Sequence, residues 1–398
     1  MQVDRLGNYI KIISGFPFKS ELFNEEGVGL PLIRVRDVNS GFAGIYYSGE
    51  YPNEYVIVNG DILIGMDGDF NAIVWKHGDA LLNQRVCKLV VDDRKLSKSY
   101  VLQYLPQALK DIHRKTTFTT VKHLSNKSIE AIQIPLPDSI ADQIRIAAVL
   151  SRAEKLIARR KASIKALDEL LKSTFLEMFG DPVRNEKGWE KKSGDRIIID
   201  IIAGVSYGGD EKSSLEEDEL GVLKISAVTA GVFNPKEFKA VKKDTITKNV
   251  PMLCKGDFIM SRANTFELIA ACCVIPQEYP SLFLPDKLWR VEFDSKRINI
   301  QYANHLLKNE NFRNTVRKEA SGGHDSMLNI SMKKFKQLDF AIPPLPLQNQ
   351  FAAIVEKVEL LKARSAESLT ELENLYGALS QRAFKGELDL SRMPAAVE

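Results

Sequence analysis

Histidines, cysteines and carboxylates are the first place to look for chemistry, and their spacing in this chain builds no fixed catalytic centre. The five histidines, His77, His113, His123, His305 and His324, are scattered without the intervals that gather ligands around a metal. Cys87, Cys254, Cys272 and Cys273 form no Cys-x-x-Cys pair, and the last two sit side by side in an apolar run, so buried reduced thiols are expected. No Gly-x-x-x-x-Gly-Lys-Ser/Thr cradle and no glycine-rich cofactor loop after a strand is present. The acidic pair Glu216-Glu217 reads as solvated loop. What the chain does offer is cations, hydroxyls and carboxamides on segments that read as surface. Lys115, Thr116, Thr117, Thr119, Thr120, Lys122 and His123 make one polar, basic loop. Arg34 and Arg36 stand at alternate positions of an expected strand, so both side chains should leave by one face. Asp69, Asn71 and Lys76 lie on another expected loop.

The elements that must position these groups follow from the apolar pattern. Short apolar runs alternate with Gly, Asn, Asp and Pro turns over residues 1–137 and 183–345, which predicts two mixed α/β modules with strand-rich cores. Gly60 to Ile64 reads as a turn feeding a strand, Ala80 to Val91 as a second strand, and Ser99 to Arg114 as a helix packed on the sheet. A chain of 398 residues is long enough for two or three such domains. No basic n-region with an apolar run opens it and no later stretch is long enough to span a bilayer, so a cytoplasmic protein without membrane contact is expected. The formal net charge is only +3, so any polyanion must be met by local positive charge or with help from other subunits.

The two modules repeat one another in order. Ile12-Ile13-Ser14-Gly15 pairs with Ile201-Ile202-Ala203-Gly204, Leu32-Ile33-Arg34-Val35 with Leu223-Lys224-Ile225-Ser226, Gly41 with Gly231, and Gly60-Asp61-Ile62-Leu63 with Gly256-Asp257-Phe258-Ile259. Leu82 to Asp92 lies over Leu284 to Asp294, Tyr100 to Leu105 over Tyr302 to Leu307, and Leu124-Ser125 over Ile330-Ser331. Ile134-Pro135-Leu136-Pro137 with Asp142-Gln143 then matches Ile342-Pro343-Pro344-Leu345-Pro346 with Asn349-Gln350. On this reading the offset climbs from 189 (Ile12 against Ile201) to 207 (Asp142 against Asn349), as loop insertions would make it.

Each module leads into one long helix, over residues 138–182 and 346–386, with a tail at 387–398. Alternating spacings of four and three run through Ile146, Leu150, Ala153, Ile157, Ile164, Leu167 and Leu171. The second seam reads Phe351, Ile354, Val358, Leu361, Leu372, Leu375 and Leu379, with Ser365 and Ser368 at its centre. Pro137 and Gly180-Asp181-Pro182 punctuate the first helix, Pro346 and Gly386 the second. The basic cluster Arg152, Lys155, Arg159, Arg160, Lys161, Lys165 is either a solvated face or a contact surface, and Arg160 falls on the seam, where a carboxylate of the other helix could meet it.

The residues Ile134-Pro135-Leu136-Pro137, Asp142-Gln143, Ile146-Ala147-Ala148-Val149-Leu150, Leu167-Asp168-Glu169-Leu170-Leu171 and Phe175 to Pro182, with Gly68-Asp69-Phe70-Asn71, Ala80 to Val86 and Ala383 to Leu388, closely resemble the specificity subunits of type I restriction-modification systems. The resemblance implies two pseudo-symmetric target-recognition domains separated by a pair of long antiparallel coiled-coil helices. It also implies a bipartite double-stranded DNA target, two methyltransferase (M) subunits docked on the helices, and motor-nuclease (R) subunits in the full complex. S-adenosylmethionine, Mg and ATP are then expected on those partners, with no cofactor, metal or catalytic residue on this chain. A coiled-coil adaptor that binds only proteins is the alternative reading.

If DNA is the partner, base edges call for Arg, Lys, Asn or Gln, and phosphates for Lys, Arg and hydroxyls. The basic loop, Arg34, Arg36, Asp69, Asn71 and Lys76 meet that description in the first module. Asn83-Gln84-Arg85 suits base readout equally well as structural support; Gln84 and Arg85 are its candidates. The second module offers Tyr207, Lys224, Arg262, Asn264, Lys287, Ser321 and His324. Pro285-Asp286-Lys287 replaces Asn83-Gln84-Arg85 there, so the two half-targets should differ.

Overall fold

The computed structural model describes residues 1–115, 122–322 and 327–390. The chain divides into two compact units, residues 1–161 with 367–398 and residues 162–366, so each long helix contributes to both.

In unit 1, Gln2–Arg5 pairs with Gln133–Leu136, tying the start of the module to its exit. A four-stranded antiparallel sheet runs in the order Ile10–Ser14, Val86–Val91, Ile62–Gly65, Ala72–Val74. A five-stranded sheet follows the order Phe23–Asn24, Tyr46–Tyr47, Leu30–Ile33, Ala80–Leu82, Val56–Ile57, with Leu30–Ile33 parallel to Ala80–Leu82. Residues 80–91 are therefore two strands in two sheets and not one, because the turn at Asn83 redirects the chain. Helix Lys98–Lys115 covers the first sheet through Tyr100, Val101, Leu105 and Leu109.

Unit 2 repeats the plan. Glu190–Ser193 pairs with Asp339–Ile342, and one sheet runs Ile198–Ala203, Leu288–Phe293, Phe258–Ser261, Cys272–Val274. The other runs Phe238–Lys242, Glu219–Leu223, Tyr279–Phe283, Met252–Leu253, again with one parallel pair. The alternation of strand Cys272–Val274 sends adjacent thiols into different cores, Cys272 among Phe258 and Tyr302, Cys273 among Ile259 and Leu284. Cys254, expected inside, is on the surface.

Shared interactions fix the true register of the repeat. Leu32 faces Leu81 across the parallel pair and Val222 faces Phe283, so Leu32 corresponds to Val222, one residue earlier than the sequence pairing. Leu136 and Ile342 close equivalent ladders, an offset of 206, and the buried glutamines of the helix entries are Gln143 and Gln348, an offset of 205. Gln143 Oε1 accepts Ser97 N and Gln348 Oε1 accepts Asn299 N, both at 2.7 Å. The offset thus steps back by one: the second entry is shorter, and the Pro-rich spelling had drawn the alignment past it.

The long helices, Ile140–Phe179 and Leu345–Lys385, pair antiparallel within each unit. In unit 1 Lys161 meets Glu373 at 2.8 Å, and Tyr376 Oη donates to Glu154 at 3.0 Å. In unit 2 Asp168 meets Lys362 at 2.7 Å and Phe175 packs edge-on to Phe351. The cross-helix ion pair beside Arg160 is thus made by its neighbour Lys161. On the first helix Ile146, Leu150, Ala153 and Leu171 are buried, with Ile157, Ile164 and Leu167 half-buried. On the second, Leu361 and Leu375 are 49% and 51% exposed, a correction to the expected seam. Phe351, Val358, Leu372 and Leu379 hold their places, and Ile354 is half-buried, but the alternate positions of the buried face are Val355, Lys362 and Tyr376. Hydrophobicity alone favoured the leucines. Lys362 lies inward because Asp168 takes its ammonium while its alkyl stem packs, and the Tyr376 ring packs in the same way with its hydroxyl satisfied.

His305 sits among Phe175 and Phe351 in unit 2, its Nδ1 donating to Gln301 O at 2.9 Å. Burial first, then the positive charges of Lys308 and Lys362, push its imidazole down from 6.5 to about 4, against the opposing effect of the Gln301 bond. The unfolded chain takes up this proton first, so the native contribution is complete above pH 6.5 and is lost as pH falls toward about 4. The loss should amount to about 3 kcal/mol over that window. Urea midpoints at neutral and acid pH should therefore converge in His305→Gln relative to the parent chain; an unchanged difference would contradict the assignment.

Candidate nucleic-acid interface

Each unit knits the same three segments into one edge through main-chain bonds. In unit 1, Met66 N donates to Arg85 O at 2.8 Å and Leu124 N to Met66 O at 2.7 Å, while Asp67 bridges His123. In unit 2, Arg262 N donates to Lys287 O at 3.1 Å and Ile330 N to Arg262 O at 3.0 Å, while Ala263–Asn264 pairs with Leu328–Asn329. Met66 corresponds to Arg262, Arg85 to Lys287, and His123 to Asn329.

The side chains mounted on this common edge differ. In unit 1 His123 Nδ1 lies 2.7 Å from Asp67 Oδ1 and 3.3 Å from Arg85 Nη1, and Arg85 Nε lies 3.7 Å from Asp67 Oδ2. Lys122 Nζ donates to His113 O at 2.6 Å. Arg85 occupies the third position of the turn Asn83–Val86 with φ of 70°, a left-handed conformation that such turns usually reserve for Gly or Asn. A bulky residue there costs about 1 kcal/mol or more, and such strain concentrates at functional sites. In unit 2 Arg262 is held at all three nitrogens: Nε donates to Asp286 O at 2.8 Å, Nη1 to Asn329 Oδ1 at 2.9 Å, and Nη2 lies 4.0 Å from Asp286 Oδ2. Ser206 Oγ donates to the Asp286 carboxylate. Ser321 exchanges two main-chain bonds with Asn329, each 2.9 Å.

The structure therefore gathers Arg85, Lys122 and His123 in one unit, and Arg262, Lys287 and Ser321 in the other. Gln84 is exposed beside Arg85, whereas Asn83 is buried and its backbone N donates to Ile33 O, a supporting role. Lys115 ends its helix on the surface. Arg34 and Arg36 do not share a strand face: the strand ends at Ile33, Arg34 caps the short helix Val35–Ser40 with its Nε 3.3 Å from Asp37, and Arg36 lies exposed on that helix. Asp37 accepts the Arg34 main-chain N as well, which starts the helix where alternation suggested extended chain. Asn71 reaches the same helix through Asn39 at 2.6 Å; Asp69 and Lys76 are exposed on the flanking turns.

Other residues of unit 2 stand outside the Arg262 cluster. Tyr207 Oη accepts Lys248 N at 3.1 Å, Lys224 pairs with Glu211 at 3.1 Å, and the buried Asn264 turns its carboxamide to Thr265 N at 2.9 Å. Thr116, Thr117, Thr119, Thr120 and His324 lie outside the described residues. Asp67, Asp286, Ser206 and Asn329 are not among the residues the sequence points to. The legible signal is the repeat itself, which sets position 67 against 263 and 123 against 329.

No group of His, Cys, Asp or Glu that could hold a metal occurs among the described residues, and no helix among them is long and apolar enough to cross a membrane.

Residues 1–167 match the type I restriction modification DNA specificity domain. Over 407 aligned residues the chain is 27% identical to the EcoBI specificity subunit of Escherichia coli, covering 95% of this chain and 84% of that one. It is 24% identical to the MjaVIII specificity subunit of Methanocaldococcus jannaschii, covering 98% and 91%. The S subunit from M. genitalium has the same fold, with a TM-score of 0.59 over 96% of each chain at 14% identity. A chain from a structure concerned with complex assembly and conformational transition of the type I R-M system aligns at 0.53 over 97% and 98%, at 16% identity. Residues 1–167 thus resemble a DNA specificity domain, and the chain shares the fold of an S subunit. Over most of its length the chain is similar to specificity subunits of type I restriction-modification systems.

Proposed function

We infer that each unit reads its own half of a bipartite double-stranded DNA target and that the two halves differ in sequence. The observation that carries this reading is the repeated three-segment edge, built with the same main-chain bonds in both units but bearing Asp67, Arg85 and His123 in one and Arg262, Asp286 and Asn329 in the other. Direct readout needs such rigidly mounted donors and acceptors, and different groups select different bases. The paired helices set the gap and carry two methyltransferase subunits, with motor-nuclease subunits joining the full complex. Exposed leucines such as Leu156, Leu361 and Leu375 support protein contact on the helices. This chain supplies recognition only; S-adenosylmethionine, Mg and ATP belong to the partners, and the complex works in the cytoplasm.

The test is DNA methylation by this chain with and without its modification subunit, followed by sequencing of the methylated sites. Activity from the chain alone would overturn the reading. In the complex, Arg262→Ala should relax the preference at the second half-target and lower affinity by about 1–3 kcal/mol, leaving the first half-target as it was. Equal relaxation in both halves would mean that Arg262 supports the fold and does not read DNA.

A further inference from the structure

Resting on that reading, we propose that Asp67 is a positioning residue for base readout, a carboxylate that keeps the cation of its recognition cluster from closing on phosphates of non-target DNA. A negative charge inside a DNA-facing cluster is unfavourable for affinity, because it repels the backbone that the neighbouring cations attract. Its presence therefore calls for a compensating role. Asp67 Oδ1 takes His123 Nδ1 at 2.7 Å and Oδ2 lies 3.7 Å from Arg85 Nε, so one carboxylate restrains both potential readers from two different segments. Arg85 is 58% exposed at its side chain and is not otherwise immobilised by burial. Its left-handed backbone aims it from the turn, and Asp67 limits where the guanidinium can go.

Unit 2 reaches a like arrangement from a different position. Its residue equivalent to Asp67 is Ala263, which can restrain nothing by charge, yet Asp286 arises in the neighbouring turn beside Arg262 and Ser206. A carboxylate beside the arginine thus recurs although the segment supplying it has changed. That recurrence is what a functional requirement produces and what simple inheritance of a structural salt bridge does not.

An arginine tethered in this way has two alternatives to its carboxylate: a base edge placed to match it, or any phosphate within reach. The tether costs little where the correct base offers bidentate geometry, and it penalises the indiscriminate contact. Removing it should therefore move affinity and selectivity in opposite directions, an outcome that loss of a structural contact does not give.

The experiment uses the complex of the full chain with its modification subunit and a pool of random-sequence duplexes, with sequencing of the selected fraction and titrations over a series of salt concentrations. Asp67→Asn keeps the shape and removes the charge. It should bind the unselected pool about fivefold more tightly, steepen the salt dependence by about one counterion, and blur the first half-target while the second stays sharp. Asp67→Asn with Arg85→Ala should lose the gain, since the gain needs the released cation. Weaker or unchanged binding to the pool by Asp67→Asn, or a gain that persists in the double variant, overturns the inference while the recognition reading stands. A parent complex that selects no sequence overturns both.

Discussion

Alanine at Gly15 or Gly204 should disable the unit that carries it, at a cost of about 4 kcal/mol or more, the upper end of overpacking penalties. A Cβ on Gly15 would stand 2.0 Å from Asn83 O, and one on Gly204 would stand 2.1 Å from Leu284 O. Both obstacles are main chain, so no side chain can swing aside. These glycines lie where the strands Ile10–Ser14 and Ile198–Ala203 leave their sheets and pass the turns that carry Arg85 and Lys287. The expected readout is a lower denaturation midpoint together with loss of discrimination at the corresponding half-target. A folded Gly204→Ala protein of parental stability would refute the close approach.

Phe175→Ala is expected to cost about 4 kcal/mol, as large-to-small changes of buried aromatics do. Its ring touches Phe179, Tyr302, His305 and Phe351, so it joins the first long helix to the second and to the sheet-covering helix Ile300–Lys308 of unit 2. Denaturant titration of the variant checks the size of the loss, and protease nicking should shift to residues around the junction. A loss below about 1 kcal/mol would mean that the cavity collapses or that the helix is held elsewhere.

The architecture was largely legible because two periodicities dominate it. Heptad spacing revealed the long helices, and the ordered repeat revealed the two modules before any tertiary contact was known. The errors share one cause: sequence reports hydrophobicity and spelling, while position is decided by partners. Leu361 and Leu375 looked like seam residues, but Lys362 and Tyr376 are drawn inward by Asp168 and Glu154. Gln350 looked like the partner of Gln143, but Gln348 makes the matching buried bond. Arg34 and Arg36 looked like neighbours on a strand because nothing local announced that Asp37 would cap a helix between sheet and surface. The recognition cluster was half legible. Its cations stood out by type, whereas Asp67 and Asp286 gain meaning only from side chains that are distant in sequence.

The rungs of this edge are amide and carbonyl groups, and those groups are the same whichever side chains the codons specify. Residues 67, 85 and 123 could be exchanged, or 262, 286 and 329, without removing a rung that holds the loops in place. Under the proposed function, a few substitutions in one module of such a frame would change the half-target that this module reads. Under the same proposal the other module would keep its half, and the partner subunits would need no matching change.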